Sequence, residues 1–187
     1  GKVVETKTVN VPHNWDDYYG YRQLKHGNLH GTATYCRTVN IDKQAEKRYF
    51  LQLEGAGSYA TVTVNGKQFD RRPVGRTTLT LDITDALRGG ENNIEVRCDH
   101  PELITDMPWV CGGGSSEWGF SEGSQPLGLF RPVSLVVTDN VRIEPFGVHV
   151  WNNAACDSVF IETEVRNYSA ETVSAEIVNS FNLASGK

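Results

Sequence analysis

The sequence predicts an all-β protein in which antiparallel strands form packed sheets. Apolar residues alternate with polar residues in many short stretches, as expected for strands with one buried face. Turn signals rich in glycine and asparagine separate these stretches. No stretch shows the period of an amphipathic helix of ordinary length, so the crossover helices of a parallel sheet are not predicted. An antiparallel β-sandwich is the architecture that these observations favour.

Five alternating stretches predict strands in the first part of the chain. They lie at residues 49–53, 62–64, 79–83, 94–98 and 133–137. Asn65-Gly66 predicts a hairpin, because both residues tolerate the positive φ of a type I′ turn. Residues 89–93, with the sequence Gly-Gly-Glu-Asn-Asn, predict a second turn. Residues 82–87 predict the single short helical turn, with Thr84 as its N-cap ahead of Asp85.

Charge and composition exclude several classes of partner. The 187 residues carry a net charge of -5, and no stripe of lysine and arginine is present to bind phosphates. A nucleic-acid partner is therefore not expected. The longest apolar runs have only a few residues, whereas a membrane-spanning helix needs about 20. We expect a soluble protein without a membrane partner.

The four cysteines are too sparse for a disulfide-built scaffold, and their spacing fits neither a zinc ribbon nor a zinc finger. Cys36 and Cys98 lie in strand-like stretches, and we expect both to be buried as small apolar residues. A disulfide between Cys98 and Cys111 is the alternative if the protein is exported. His26 and His30 have a spacing that suits a metal only on a helix, and the neighbouring glycines favour a loop, so no metal or other cofactor is predicted.

Five short motifs occur in a fixed order along residues 9–139. They are Pro12-His13-Asn14-Trp15, Tyr35-Cys36-Arg37, Val62-Thr63-Val64-Asn65-Gly66-Lys67, the stretch 81–93 and Gly128-Leu129-Phe130-Arg131-Pro132-Val133-Ser134-Leu135. In order and spacing the set resembles the N-terminal sugar-binding domain of family 2 glycoside hydrolases, the β-galactosidase, β-glucuronidase and β-mannosidase group. The resemblance implies a jelly-roll β-sandwich of the galactose-binding-domain type.

The resemblance also implies a domain order. Residues 1–139 correspond to the jelly roll, and residues 140–187 correspond to the start of an immunoglobulin-like β-sandwich. Strands are predicted there at residues 148–150, 159–165 and 173–177. A seven-stranded sandwich cannot close with three strands, so we expect exposed edges there. We expect these edges either to pair with a neighbouring molecule, including a second copy of the chain, or to be disordered.

Family members carry two catalytic glutamates in a (β/α)8 barrel that follows these two domains. By resemblance those residues should lie beyond Lys187, so no catalytic residue is predicted in this chain. Glu117 and Glu122 do not form a catalytic pair, because nothing rigid holds two carboxyl groups about 5 Å apart on a Gly/Ser-flanked loop. The missing barrel is the implied protein partner, and a carbohydrate is the implied ligand of the whole enzyme.

Residues 101–127 form a long stretch without strand alternation, and loops of this length are commonly functional. In the resembling enzymes the corresponding loop reaches towards the active site, and some β-galactosidases contribute a sugar-binding aspartate from an Asp-Met-Trp sequence. Asp106-Met107-Pro108-Trp109 is similar, with one proline interposed. Aromatic rings can stack on a pyranose while carboxylates bind its hydroxyls. The candidate substrate-binding residues are Asp106, Trp109, Glu117 and Trp118.

The same aromatic residues could instead cover the end of the sandwich or its interface with the missing domain. Arg37 and Arg131 recur in the motifs and are expected to form buried ion pairs with Glu54 or Asp82. His13, Trp15 and Tyr35 are expected to serve structure. Two other readings of the whole chain remain open, namely a freestanding carbohydrate-binding module and a purely structural β-sandwich.

Overall fold

A computed structural model describes residues 5–15, 30–101, 104 and 126–180 of the chain. The described residues form ten strands and a single 3-10 turn at Thr84–Ala86. The strands are β1 Gly31–Ile41, β2 Lys47–Leu53, β3 Ala56–Val64, β4 Lys67–Gln68, β5 Arg72–Gly75, β6 Leu79–Asp82, β7 Gly90–His100, β8 Val133–Asp139, β9 Val141–Asn152 and β10 Val159–Asn167. The prediction of an all-β protein with antiparallel sheets is confirmed. The chain divides into two compact units, residues 1–137 and 138–187.

The first unit is a sandwich of two sheets. One sheet has the order β1-β7-β3-β4, with β5 also paired to β3, and the other has the order β6-β2-β8. Their inward residues form one apolar cluster, to which β2 contributes Leu51 and Leu53, β3 contributes Val62, and β7 contributes Val96 and Cys98. Burial of this apolar surface supplies the main driving force for folding.

The hairpin predicted at Asn65-Gly66 is confirmed. Asn65 has a φ of 50° and Gly66 a φ of 85°, as a type I′ turn requires, and Val64 pairs with Lys67 across it. The predicted helical turn is present at Thr84–Ala86, but the prediction that Thr84 caps it is wrong. Ile83 occupies the cap position, and the Thr84 hydroxyl donates a hydrogen bond of 2.7 Å to Oδ1 of Asp82.

The turn predicted over residues 89–93 is also wrong, because β7 begins at Gly90. Asn92 is completely buried. Its side-chain amide donates to the carbonyl oxygens of Arg88 and Gly90, each at 2.8 Å, and its Oδ1 accepts from the backbone N–H of Arg88 and from Nδ2 of Asn65. A residue typical of turns thus lies inside a strand, where its side chain satisfies neighbouring backbone groups.

Cys98 is a buried free thiol, whereas Cys36 is exposed. The prediction for Cys36 is therefore wrong. Successive strand side chains point to opposite faces, and Tyr35 packs against the core, so Cys36 must point outward. Cys111, the proposed disulfide partner of Cys98, lies outside the described residues.

The second unit consists of the hairpin β9–β10 and the residues that follow it. Val150 opposite Ile161 and Val148 opposite Thr163 share one face of the hairpin, while His149 opposite Glu162 lies on the other. The strand predicted at residues 173–177 is not formed, and this segment has no hydrogen-bonded partner strand in the described part of the chain. Without a ladder, alternation alone does not make a strand. Many apolar side chains of this unit are exposed, such as Val150 at 60%.

Candidate functional site at one end of the first sandwich

Two of the sequence motifs meet at one end of the first sandwich. The backbone N–H of His13 donates to the carbonyl of Leu129 at 2.7 Å, and that of Trp15 donates to Leu127 at 3.3 Å. Oδ1 of Asn14 accepts the backbone N–H of Leu127 at 3.0 Å. The segment before β1 and the segment before β8 are thereby joined, although more than one hundred residues separate them in the sequence.

Tyr35 lies between these two segments and hydrogen bonds to both. Its hydroxyl is 2.9 Å from Nδ1 of His13, and the backbone of Leu129 also hydrogen bonds to it. Burial raises the pKa of Tyr35 to about 12, so the phenol stays neutral at physiological pH. The prediction that His13 and Tyr35 serve structure is confirmed by these contacts.

Close approach of the backbones at this junction requires glycine. Gly128 has a φ of +85°, and a Cβ placed there would overlap the Tyr35 hydroxyl and lie 2.7 Å from Cδ1 of Trp15. The N–H of Gly57 donates to the carbonyl of Gly128 at 3.0 Å. A Cβ at Gly57 would overlap the carbonyl oxygen of Pro126. The glycine that opens the Gly128–Leu135 motif is therefore explained by packing.

A buried polar cluster lies at the same end, where β1 begins and β7 ends. Oγ of Ser58 is 2.7 Å from Nδ1 of His100, and each residue is only 3% exposed. The ring of His100 is stacked on that of His30, with centroids 5.3 Å apart and planes at 7°. Nδ1 of His30 lies 3.0 Å from the carbonyl oxygen of Pro101. Because a carbonyl can only accept, this nitrogen of His30 carries a proton.

The residues that flank the two long undescribed stretches lie at this cluster and at the junction beside it. Trp15 and His30 flank residues 16–29, while Pro101 and Pro126 flank the stretch that contains Asp106, Trp109, Glu117 and Trp118. These four predicted substrate-binding residues, together with Glu122 and His26, lie outside the described residues. The positions from which their segments depart are nevertheless fixed by the contacts given above.

Sequence reasoning missed Ser58 and His100. A signal for His100 was present, because it is in phase with Val96 and Cys98 on the buried face of β7. A polar residue in phase with core residues indicates a buried hydrogen-bonded group. Ser58 carried no comparable signal, since the Gly-Ser sequence reads equally well as a turn.

The charged groups near the motifs are paired differently from the prediction. Asp82 forms its ion pair with Arg48. Arg37 and Arg131 are both exposed, so the prediction that either forms a buried ion pair with Asp82 is wrong. Arg131 instead donates to the carbonyl of Arg76 at 3.2 Å. The two motif arginines lie on outward faces of the strands and connections that carry them.

Neither a metal centre nor a membrane-spanning helix is found in the described part of the chain. Its residues contain no group of three histidine, cysteine, aspartate or glutamate side chains arranged to hold an ion. None of its helical segments is long and apolar enough to cross a bilayer.

Comparison with known proteins places this geometry in context. The chain is 29% identical to a β-glucuronidase of Bacteroides fragilis over 97% of its length, and 22% identical to the β-galactosidase BoGH2A of Bacteroides ovatus, again over 97%. A crystal structure of a glycosyl hydrolase family 2 member from Bacteroides cellulosilyticus covers 87% of the chain at 25% identity, with a TM-score of 0.63.

The chain accounts for only part of each of these proteins. It spans 24% of the B. fragilis β-glucuronidase, 21% of the B. ovatus β-galactosidase and 21% of the B. cellulosilyticus protein. The family model for "Glycosyl hydrolases family 2, sugar binding domain" matches residues 1–138. Since that match includes all the motifs at the junction and most of the chain, the protein belongs to this family, and its first unit is homologous to the N-terminal region of larger β-glucuronidases and β-galactosidases.

Proposed function

We propose that this chain is the non-catalytic N-terminal part of a larger family 2 glycoside hydrolase that cleaves terminal β-glycosidic bonds. The observation that carries the proposal is the family match over residues 1–138, made by a chain that spans 24% of the B. fragilis β-glucuronidase and 21% of the B. ovatus β-galactosidase. The acid and nucleophile carboxylates that such hydrolysis needs would come from the remainder of the whole enzyme.

The role that we propose for the first unit is to support the catalytic barrel and to contribute to the wall of its sugar pocket. Asp106, Trp109, Glu117 and Trp118 are the proposed contacts to the sugar. Support comes from the two ends of their segment, since Pro101 accepts a hydrogen bond from His30 and Leu127 is bound to Asn14. A stretch held at both ends can present side chains to a ligand at lower entropic cost.

The second unit is proposed to be part of an immunoglobulin-like sandwich, with the domain boundary near residues 139 and 140. The division of the chain after Val137 supports a boundary close to that position. The aliphatic face of β9–β10, with Val148 and Val150 at 50% and 60% exposure, is the face such a sandwich would bury. Association of two copies through this face is the corresponding proposal for an oligomer.

Activity assays test the central proposal directly. A panel of chromogenic β-galactosides, β-glucuronides and β-mannosides would be offered to the 187-residue chain and to the full-length protein encoded by the same gene. We expect hydrolysis by the full-length protein alone, and the preferred substrate would identify the glycone. Absence of hydrolysis in both samples would refute the glycosidase proposal.

A binding titration separates this proposal from the freestanding module. Calorimetry of the 187-residue chain with galactose, glucuronate and their oligosaccharides should give no measurable heat of binding, because the pocket is incomplete without the barrel. Binding that is lost in a Trp109→Ala/Trp118→Ala variant would instead favour an independent carbohydrate-binding module.

A further inference from the structure

The rings of His30 and His100 are stacked at the end of the first sandwich. His100 is almost fully buried between Ser58, which contacts its Nδ1, and His30, which is stacked on its ring. A buried hydrogen bond fixes direction as well as distance, because no water can replace either partner. The orientation of the His100 ring, and with it that of His30, is therefore set by Ser58 on β3.

The same contacts join two separate points of departure from the sandwich. His30 is the residue at which the connection over residues 16–29 enters β1, and Pro101 is the residue at which the chain leaves β7. The 3.0 Å hydrogen bond from His30 to Pro101 links these points directly. Gly31 also pairs with His100 across the two strands. A displacement of one departure point therefore has to displace the other.

We propose that Ser58, His100 and His30 form a histidine clamp that fixes together the points where the two segments, 16–29 and 102–125, leave the sandwich. The three residues are positioning residues. Their part in catalysis rests on the proposed function, because the sugar-binding side chains that they position are those proposed on the second segment. Small errors in the placement of such groups have large effects on reaction rates.

Two substitutions of His30 separate the components of the clamp. His30→Asn keeps an N–H donor near the position of Nδ1 but removes the ring, whereas His30→Phe keeps a stacking ring but removes the donor. Ile104 is fully buried and lies just beyond Pro101, so its methyl resonance reports on the second departure point. Ile83 and Ile94, buried in the sandwich core, are the matched internal controls.

Methyl NMR of the 187-residue chain gives the first readout. We expect His30→Phe to shift and broaden the Ile104 methyl signal, His30→Asn to cause a smaller change, and both to leave Ile83 and Ile94 in place. Ser58→Ala should reproduce the Ile104 effect, because it removes the hydrogen bond that orients the His100 ring. An unchanged Ile104 signal in both His30→Phe and Ser58→Ala would overturn the clamp.

Steady-state kinetics of the full-length enzyme give the second readout. His30→Phe and Ser58→Ala should raise KM about tenfold with little change in kcat, because they misplace binding groups and leave the reacting carboxylates intact. Thr32→Ala is the control, since its exposed hydroxyl binds Asp99 at the same end of the sandwich but contacts no member of the clamp. An altered Ile104 signal with an unaltered KM would overturn the positioning role.

The two readouts also distinguish failure of this inference from failure of the proposed function. A wild-type full-length protein that hydrolyses no β-glycoside would refute the glycosidase proposal, and with it the positioning role. The Ile104 signal would still decide whether the clamp exists, because it is recorded on the chain itself. A change in the methyl signal of Ile83 or Ile94 together with that of Ile104 would indicate a general loss of packing and would count against a local clamp.

Discussion

The N–H of Gly57 donates a hydrogen bond to the carbonyl of Gly128, and both residues are so closely surrounded that a single methyl group would overlap a neighbour. The two glycines bring β3 against the segment that precedes β8. Hydrogen bonds from His13 to Leu129 and from Trp15 to Leu127 hold the same segment close to the motif at residues 12–15. The glycine at position 128 of the motif thus has a steric cause.

A comparison of two glycines measures this steric demand. Gly66 and Gly128 share a φ of about +85°, but nothing lies within 4 Å of a Cβ at Gly66, whereas one at Gly128 overlaps Tyr35. We expect Gly66→Ala to lower the free energy of unfolding by about 1–2 kcal/mol, the cost of the backbone conformation alone. Gly128→Ala should cost about 1–3 kcal/mol more through overpacking. Urea denaturation of both variants measures the difference, and equal losses would contradict the crowding at Gly128.

Asn92 should be one of the most sensitive polar positions in the chain. Asn92→Ala would remove a fully buried amide and leave the partly buried backbone N–H and carbonyl of Arg88 without their side-chain partners. We expect a loss of about 3 kcal/mol in the free energy of unfolding. The neighbouring Asn93 is exposed, so Asn93→Ala is the control and should change stability by no more than about 0.5 kcal/mol. A loss of similar size in both variants would argue against the buried network.

Asp82 should contribute to the acid sensitivity of the fold. Burial alone would raise its pKa, but hydrogen bonds from Thr84 and Arg48 outweigh that effect and hold the pKa below its ordinary value. A carboxylate with a depressed folded-state pKa stabilises the protein above its unfolded pKa of about 4, and the stabilisation is lost as the pH falls through the folded pKa. Unfolding curves at neutral pH and below pH 4 should show a smaller pH dependence for Asp82→Asn than for the wild type. An equal pH dependence of the free energy of unfolding in the variant and the wild type would show that Asp82 does not contribute to acid sensitivity.

The cysteines should differ sharply in their reaction with a thiol reagent. Burial raises the pKa of Cys98 to about 12 and closes off its sulfur, so native protein should not be labelled there. Cys36 and Cys156 are exposed and should react. In a Cys111→Ser background, Ellman's reagent should release two equivalents from native protein and a third only in denaturant. Rapid native labelling of Cys98, detected by peptide mass spectrometry, would contradict its burial.

Alternation predicted the strands correctly where one face meets the apolar core, as at Leu51, Leu53 and Val96. It failed where polar side chains replace backbone partners. Asn92 was interpreted as a turn residue. Its hydrogen bonds to Arg88 are local, but its hydrogen bond to Asn65, 27 residues earlier, forms only in the folded chain. Thr84 looked like a cap, yet the neighbouring carboxylate of Asp82 competes for its hydroxyl.

Other features of the site depend on contacts between distant parts of the chain. The stacking of His30 on His100 joins residues 70 positions apart, and local sequence carries no information about such a pair. The resemblance brought His13 and Gly128 together as motifs, but it did not indicate that both contact Tyr35. The strand expected at residues 173–177 is not formed for the opposite reason, since its pattern is strand-like but no strand among the described residues pairs with it.

The hydrogen bonds between the end points of the two connections have a consequence for protein engineering. Trp15 is bound to Leu127, and His30 is bound to Pro101, so the entry and exit points of both connections are spanned by direct hydrogen bonds. The sandwich therefore holds the end points of both connections in fixed positions. The corresponding connections of another family member could replace residues 16–29 and 102–125 there. Chimeras that exchange both connections together should preserve these hydrogen bonds better than those that exchange one alone.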